Sequence, residues 1–325
     1  MEAVCLEGTE ALMLERAGFA SEANGGFSSG RIHLVTSLAD SGPGSLRAAL
    51  SQGPAWIVFA VSGTVELKSR LNIPSNVTID GRGQRVRLVN YGLKIYDVEN
   101  IIIHNLMIED GVRSTTDAIE VVRSTDIWIN HVSLANFPDG LLDIKYAPRD
   151  DTRITVSWSR FSNHNKTMMV GLHAKDASND ANIYTTVRNS YFAGTTQRNP
   201  RVAQGYAHLY NNVIIYKDKA VQSYDQARVL MESNHIAAMN PDNIHVTHFS
   251  LGREDIPDGY ITAPNEGDNA NFVYGNDDLE LIENGYVEPP PYPYQLTTAS
   301  FCQFFNVTEG AGQQTEGVKK HSCAP

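Results

Sequence analysis

Residues 100–110 read NIIIHNLMIED, and the same pattern returns at 126–136 as DIWINHVSLAN and at 153–163 as RITVSWSRFSN. It continues as YTTVRNSYFAG from Tyr184, AHLYNNVIIYK from Ala207 and VLMESNHIAAM from Val229. Each copy is a β-branched run, then polar residues often including Asn, then a second short apolar run. Asn105 to His131 is 26 residues, His131 to Trp158 is 27 and Asn211 to Ser233 is 22. Repeats of roughly 20–50 residues indicate stacked units rather than one closed core. Helical runs between the strands are not evident, which argues against a doubly wound sheet or a TIM barrel. The irregular period argues against propeller blades. A parallel β-helix tolerates coils of unequal length, and its stacked polar positions predict asparagine ladders in which each amide satisfies the next.

Such a coil needs capped ends. PGSLRAALSQGP (Pro43 to Pro54) reads as a short helix with Ser45 as N-cap and a stop at Gly53-Pro54. The tail after Glu288 opens with PPPYPY, an extended segment expected to run back along the coil and close its far end. We expect one domain over 1–325, with an N-terminal cap region at 18–54, coils at 55–250 and the tail at 285–325.

The 325 residues are 42% apolar, with 37 Asp and Glu against 26 Lys and Arg, a net charge of −11. A sizeable core is affordable in such a chain, and nucleic acid is a poor partner for its charge. No apolar stretch approaches the roughly 18 residues of a membrane span. Glu2, Glu7, Glu10 and Glu15 stand where a signal peptide would be apolar. Cys302 and Cys323 could close a C-terminal loop worth about 3 kcal/mol, leaving Cys5 over. With sequons at Asn76, Asn165 and Asn306, this leans towards a secreted monomer.

Charged residues recur at coil spacing. Asp117 lies 22 residues before Asp139, and DGLLDIK adds Asp143. On a strand, i and i+4 share a face, so Asp139 and Asp143 are expected to project together while Leu142 and Ile144 turn inward. Three carboxylates on neighbouring coils suit a hard cation, above all Ca²⁺. Lys166 follows Asp143 by 23 residues, and Arg198-Asn199-Pro200-Arg201 closes the next coil. Carboxylates and cations on successive coils suit a polyanion held partly by metal and partly by Lys and Arg. The chain lacks G-x-S-x-G, a P-loop and G-x-G-x-x-G. His164, His173 and His208 are assigned core or ladder roles.

From about Gly18 to Gly312 the ordered set LVTSLADSGPGSLRAAL, IVFAVSGTVEL, NVTIDGRG, DAIEVVRSTDIWINHVSL, DGLLDIK, ITVSWSRFSNHNKTMMVG, QRNPR, HLYNN and ARVLMESN resembles the extracellular pectate lyase family. The resemblance implies an all-β, right-handed parallel β-helix of three sheets. It implies Ca²⁺ at Asp117, Asp139 and Asp143, and Lys166 on the substrate carboxylate. It further implies Arg198 as the base and Arg201 as a second arginine on the substrate. The implied reaction is β-elimination on polygalacturonate. Two positions depart from the family pattern. Ala203 replaces a third arginine, and Asn130 replaces the aspartate of a W-[IV]-D-H motif. An arginine restored at 203 is expected to strengthen the hold on a polyanion. The rivals are a pectin lyase on methylated pectin, which the three aspartates disfavour, a weakly active β-helix that only binds pectic polymers, and a hydrolase, which would leave Lys166 and Arg198 without a purpose.

Overall fold

In the computed structural model, the described residues are 2–148, 150–240, 247–248, 258–264, 270–274, 285–297 and 300–314. Among the described residues the strands pair in parallel and form three sheets of ten, nine and eight strands, here A, B and C. Each coil visits A, then B, then C. For example, Glu99–His104 lies in A, Met107–Gly111 in B and Ile119–Val122 in C. The chain is a parallel β-helix of about nine turns.

Alternation within the strands builds the core. In sheet A, Ile101, Ile103, Ile127, Ile129, Ile154 and Val156 all point inward at 0% exposure. In-register pairing stacks like on like, so Ile103 lies against Ile129 and Ile129 against Val156. Phe161 and Phe192 stack in the same way in sheet B, with centroids 4.8 Å apart. The helix Leu46–Leu50 buries Leu46, Ala49 and Leu50 against the first coils. Ser45 caps it by accepting from Ala48 N at 3.2 Å.

The corners are equally ordered. After the sheet A strands, Asn105, His131, Trp158, Asn189, Asn211 and Ser233 all adopt positive φ. After sheet B strands, Asn90, Asp110, Asn136 and Asn163 do the same. The abundance of Asn and Asp follows, since their short side chains tolerate the left-handed region best among non-glycine residues. One corner row forms an internal ladder. Asn212 Nδ2 donates to Asn234 Oδ1 at 2.9 Å, and Asn234 Nδ2 to Asn271 Oδ1 at 2.8 Å.

Sheet A is covered outside as well as inside. Ile102 and Trp128 face outward yet are fully buried, together with Leu12, Ala20 and Ala23 of the N-terminal segment. The helix Glu2–Met13, which the sequence reading did not anticipate, begins that segment. Residues 285–297 run along the later strands of sheet A, where Tyr206 Oη donates to Glu288 O and His208 Nδ1 meets Tyr292 Oη, both at 2.7 Å. The helix Phe301–Gly310 follows, and Gln314 reaches back to pair with the Asn105 amide. Cys302 is disulfide-bonded, while Cys323 and the side chain of Cys5 lie outside the described residues. Among the described residues no helix is long and apolar enough to cross a membrane.

The ladder yields a stability test. Asn234 is fully buried, accepts from Asn212 and donates to Leu209 O at 2.9 Å as well as to Asn271. Asn234→Ala strands these partners away from water, and should destabilise the fold by about 2–4 kcal/mol. The exposed corner residue Asn163→Gly should change stability by only a few tenths. Urea denaturation of both variants checks the contrast.

Candidate active site

Sheet C carries the charged constellation on its outer face. One outward row runs Lys94, Glu120, Asp143, Met169, Arg201, Gln222 across six successive strands. Neighbouring strands lie about 4.8 Å apart, which puts Arg201 roughly 10 Å from Asp143 with Met169 between them. The adjacent positions bring in Asp117, Gly140 and Lys166. Gly140 pairs with Lys166, and Gly140 N donates to Asp117 Oδ1 at 2.8 Å.

The three aspartates separate into a pair and an outlier. Asp117 and Asp143 are 1% and 5% exposed. They converge over Gly140, where a Cβ would stand 2.8 Å from Asp117 Oδ1 and 2.5 Å from Asp143 Oδ1. Glycine is required here by close approach: an alanine methyl would occupy the space between the carboxylates. Asp139 does not join Asp143 as expected. The strand begins at Gly140, so Asp139 lies in the bend before it and the i, i+4 rule does not apply. Its backbone is tied to Thr116 O, and His164 Nε2 meets its carbonyl at 2.6 Å. Its carboxylate turns to Lys166 Nζ at 2.7 Å. Leu142 and Ile144 point inward as expected. Among the described residues no three His, Cys, Asp or Glu side chains converge in metal-ligand geometry.

The electrostatics follow this division. The hydrogen bond from Lys166, against a smaller opposing effect of burial, holds the Asp139 carboxyl below the usual range. Burial raises Asp117. Burial and then the charge of Asp117 push Asp143 up to about 7. Lys145 does not neutralise this pair directly, because its Nζ binds Glu120 at 2.9 Å, and Glu120 is also bound by Arg70. Two buried carboxylates sharing one space, with only oxygen donors, are chemically suited to a hard divalent cation. Asp117 and Asp143 therefore fit the implied Ca²⁺, while the Asp139 carboxylate is engaged by Lys166.

The arginines sit in the next loop, which is fixed by buried Asn199. Its side chain accepts from Thr195 Oγ1 at 2.7 Å and donates to Lys219 O at 3.0 Å. Arg198 has φ 60°, its N–H donates to Gln222 Oε1 at 3.1 Å, and its guanidinium lies against Met169. Arg201 lies over the Tyr224 ring at 5.1 Å and donates to His173 Nε2 at 2.7 Å. Burial, then the charge of Arg198, lowers the pKa of Arg201. His164 and His173 thus belong to this site, not to the core or a ladder; His208, paired with Glu232 at 2.9 Å under the tail, has a structural role. Sequence reading also missed Gln222 and Tyr224. Their only signal was their place one coil after Arg198 and Arg201.

The two departures from the family pattern are both at buried positions. Ala203 is 1% exposed and its N–H donates to Val170 O at 2.8 Å. An arginine there would have to displace the neighbours that cover Ala203, at an overpacking cost of about 1–3 kcal/mol. Asn130 is fully buried on sheet A, where its Oδ1 accepts from Ser157 Oγ at 2.8 Å. It does not touch the charged constellation.

The raised carboxyl at Asp143 makes a pH prediction. Its pKa rises from 3.8 to about 7 on folding, so the folded chain keeps a proton that the unfolded chain has lost. This stabilising contribution is complete below 3.8 and disappears as pH rises through about 7, at up to ~1.4 kcal/mol per pH unit. In chelator, Tm should therefore fall between about pH 5 and pH 8, and Ca²⁺ should restore it at the higher pH with little effect at the lower. Asp143→Asn should remove most of both effects, as scanning calorimetry would show.

The pectate lyase family model matches residues 9–316. Among relatives, the chain is 39% identical over 222 residues to putative pectate lyase 21 of Arabidopsis thaliana, covering 62% of this chain and 55% of that protein. It is 34% identical over 248 residues to probable pectate lyase P56 of Solanum lycopersicum, covering 68% and 61%. The chain thus spans a little over half the length of these plant relatives. Among solved structures it is similar to jun a 1, the major allergen from cedar pollen, with TM-score 0.77, 26% identity and 92% of both chains covered. A pectate lyase from Bacillus sp. N165 in complex with trigalacturonate shares the fold, with TM-score 0.72, 23% identity and coverage of 91% and 98%. With its coil, its ordered motifs and this match over nearly its whole length, the chain belongs to the pectate lyase family.

Proposed function

We propose that this chain is a secreted, Ca²⁺-dependent pectate lyase that cleaves de-esterified homogalacturonan by β-elimination. The observation that carries the reading is the joint presence, on one open face of sheet C, of the Asp117–Asp143 pair with Lys166, Arg198 and Arg201. An open face admits a polymer that an enclosed pocket would exclude.

Asp117 and Asp143 would hold the ion, with Asp139 as a third ligand. When bound, the ion supplies positive charge to a galacturonate carboxylate and makes the neighbouring C5 proton more acidic. Lys166 and Asp139 form an exposed pair, 43% and 50% exposed, of the kind that contributes roughly 0–1 kcal/mol. A substrate carboxylate can therefore capture Lys166 at little cost, which frees Asp139 to turn towards Asp143. Arg201, held by His173 and Tyr224, is placed to fix a second carboxylate. Arg198 removes the C5 proton. The C5–H electrons become the C4=C5 double bond, the C4–O bond breaks, and the departing oxygen takes a proton from solvent. The product carries a 4,5-unsaturated end. Arginine is a demanding base because a guanidinium in water holds its proton, so turnover should favour alkaline pH.

Arg198→Lys keeps a cation but loses the planar fork. It should lower turnover on polygalacturonate by at least ~10²-fold while oligogalacturonate affinity changes far less. Ultraviolet absorbance of the unsaturated product, with binding measured in parallel, checks this. A wild-type chain that forms no such product with Ca²⁺ at any pH from neutral to strongly alkaline would overturn the lyase reading.

A further inference from the structure

The charged face of sheet C is not the only candidate site. A cavity of about 950 Å³ lies at the corner between sheets A and B, opposite sheet C, walled by residues 14–17 on one side and 293–297 on the other. We propose that it is a second saccharide site, which takes a short uronic acid oligosaccharide independently of the cleft.

Its floor is the left-handed corner row. Asn105 and Asn211, in this row, each pair their amide with tail main chain: Asn211 with Gln295 O and Thr297 N, Asn105 with Gln314 O and N. Between them His131, Trp158 and Asn189 also line the cavity. The His131 and Trp158 rings are stacked within 3° of parallel at 5.9 Å.

The polar groups above that floor have capacity to spare. Tyr210 is 2% exposed, lines the cavity, and its hydroxyl makes no hydrogen bond among the described residues. Burial raises its pKa and the Arg188 charge opposes this, which places the guanidinium close by. Arg188 Nη2 is anchored on Glu15 O at 2.7 Å, whereas Nη1 has only a 3.4 Å contact with Asn189 Oδ1. Its Nε is buried without a partner. Elsewhere this outward row of sheet A is well satisfied: Asp80 by Trp56 and Arg82, Asn130 by Ser157, Glu232 by His208. Arg188 and Tyr210 are the members with donors left over, and both face the cavity. A buried donor without a partner is unfavourable, and a ligand that accepts from it removes the penalty. A guanidinium, a phenol and a primary amide together fit a sugar ring bearing a carboxylate. The choice of galacturonate among acidic sugars rests on the lyase reading; the existence of the site does not.

Tryptophan fluorescence of the full chain tests this directly. Trp56 and Trp128 are buried at 2% and 0% exposure, and Trp158 alone of the three lines the cavity. Titration with trigalacturonate in chelator should change the emission saturably, and maltotriose, a neutral trisaccharide, should not. Tyr210→Phe, which removes a hydroxyl that the fold does not use, should weaken trigalacturonate binding about three- to tenfold with unchanged turnover. Arg188→Gln should weaken it at least tenfold. The double variant Asp143→Asn, Arg198→Ala should titrate like wild type, since it alters only the cleft. The proposal falls if emission does not respond, if maltotriose acts equally, or if Tyr210→Phe and Arg188→Gln both titrate like wild type. If the emission responds as described but wild type forms no unsaturated product, the lyase reading fails and the second site stands.

Discussion

In-register parallel stacking is the constraint on which everything else in this molecule depends. Each residue has one neighbour about 4.8 Å above and one below at the equivalent position of the next coil. Whatever a row contains, it contains repeatedly. Inward rows are mostly apolar, and Thr185, in the row of Ile101, Ile127 and Ile154, shows that a polar residue of similar β-branched shape is admitted. Corner rows must accept the left-handed region. Outward rows are free to vary only where nothing covers them. A charged row is therefore an exception, because stacking brings like charges close and gives them no room to separate.

That exception locates the chemistry. Glu120 and Asp143 are register neighbours, and Asp117 leans into the same space over Gly140. Glu120 is answered by Arg70 and Lys145, so its carboxylate is satisfied within the fold. Asp117 and Asp143 have no such cation bound directly to them, and burial with mutual repulsion raises both. A fold that keeps two buried carboxylates together, with Lys145 and Arg198 offsetting their charge only in part, is destabilised by them above neutral pH. Such groups persist where binding offsets the penalty, and in the proposed function the offset is a cation shared with an anionic ligand.

The coil itself was legible in the sequence because the A-to-B passage repeats almost unchanged from Asn100 to Met239. The asparagine ladder was legible for the same reason: Asn212 and Asn234 fall at the same point of successive repeats. Sheet C was harder to read. Its strands are as short as Arg201–Val202, and their limits are set by contacts with the previous coil, such as Asp139 N to Thr116 O. A one-residue difference in where Gly140–Lys145 begins turned Asp139 from a partner of Asp143 into a partner of Lys166. The His173–Arg201 contact spans 28 residues and depends on how the intervening loop folds back, which no local pattern encodes. One available signal went unread. Ile101-Ile102-Ile103 and Ile127-Trp128-Ile129 are apolar on both faces of the strand, and strands buried on both faces must be covered.

The cover over sheet A explains why the two candidate sites differ in kind. On the outer face of sheet C, Lys94, Glu120, Asp143 and Arg201 set charges along one row at coil spacing, which suits a linear polyanion. Sheet A is roofed by the N-terminal segment and by residues 285–297, and a roof that follows a twisted stack leaves space where its two parts meet. The space falls over Arg188 and Tyr210, the members of that row with hydrogen-bonding capacity left over. A long ligand suits the first surface and a short one the second. The same register that forces charges together on one side thus gathers unsatisfied donors on the other. The difference in ligand length follows from whether a second layer of chain lies above the row.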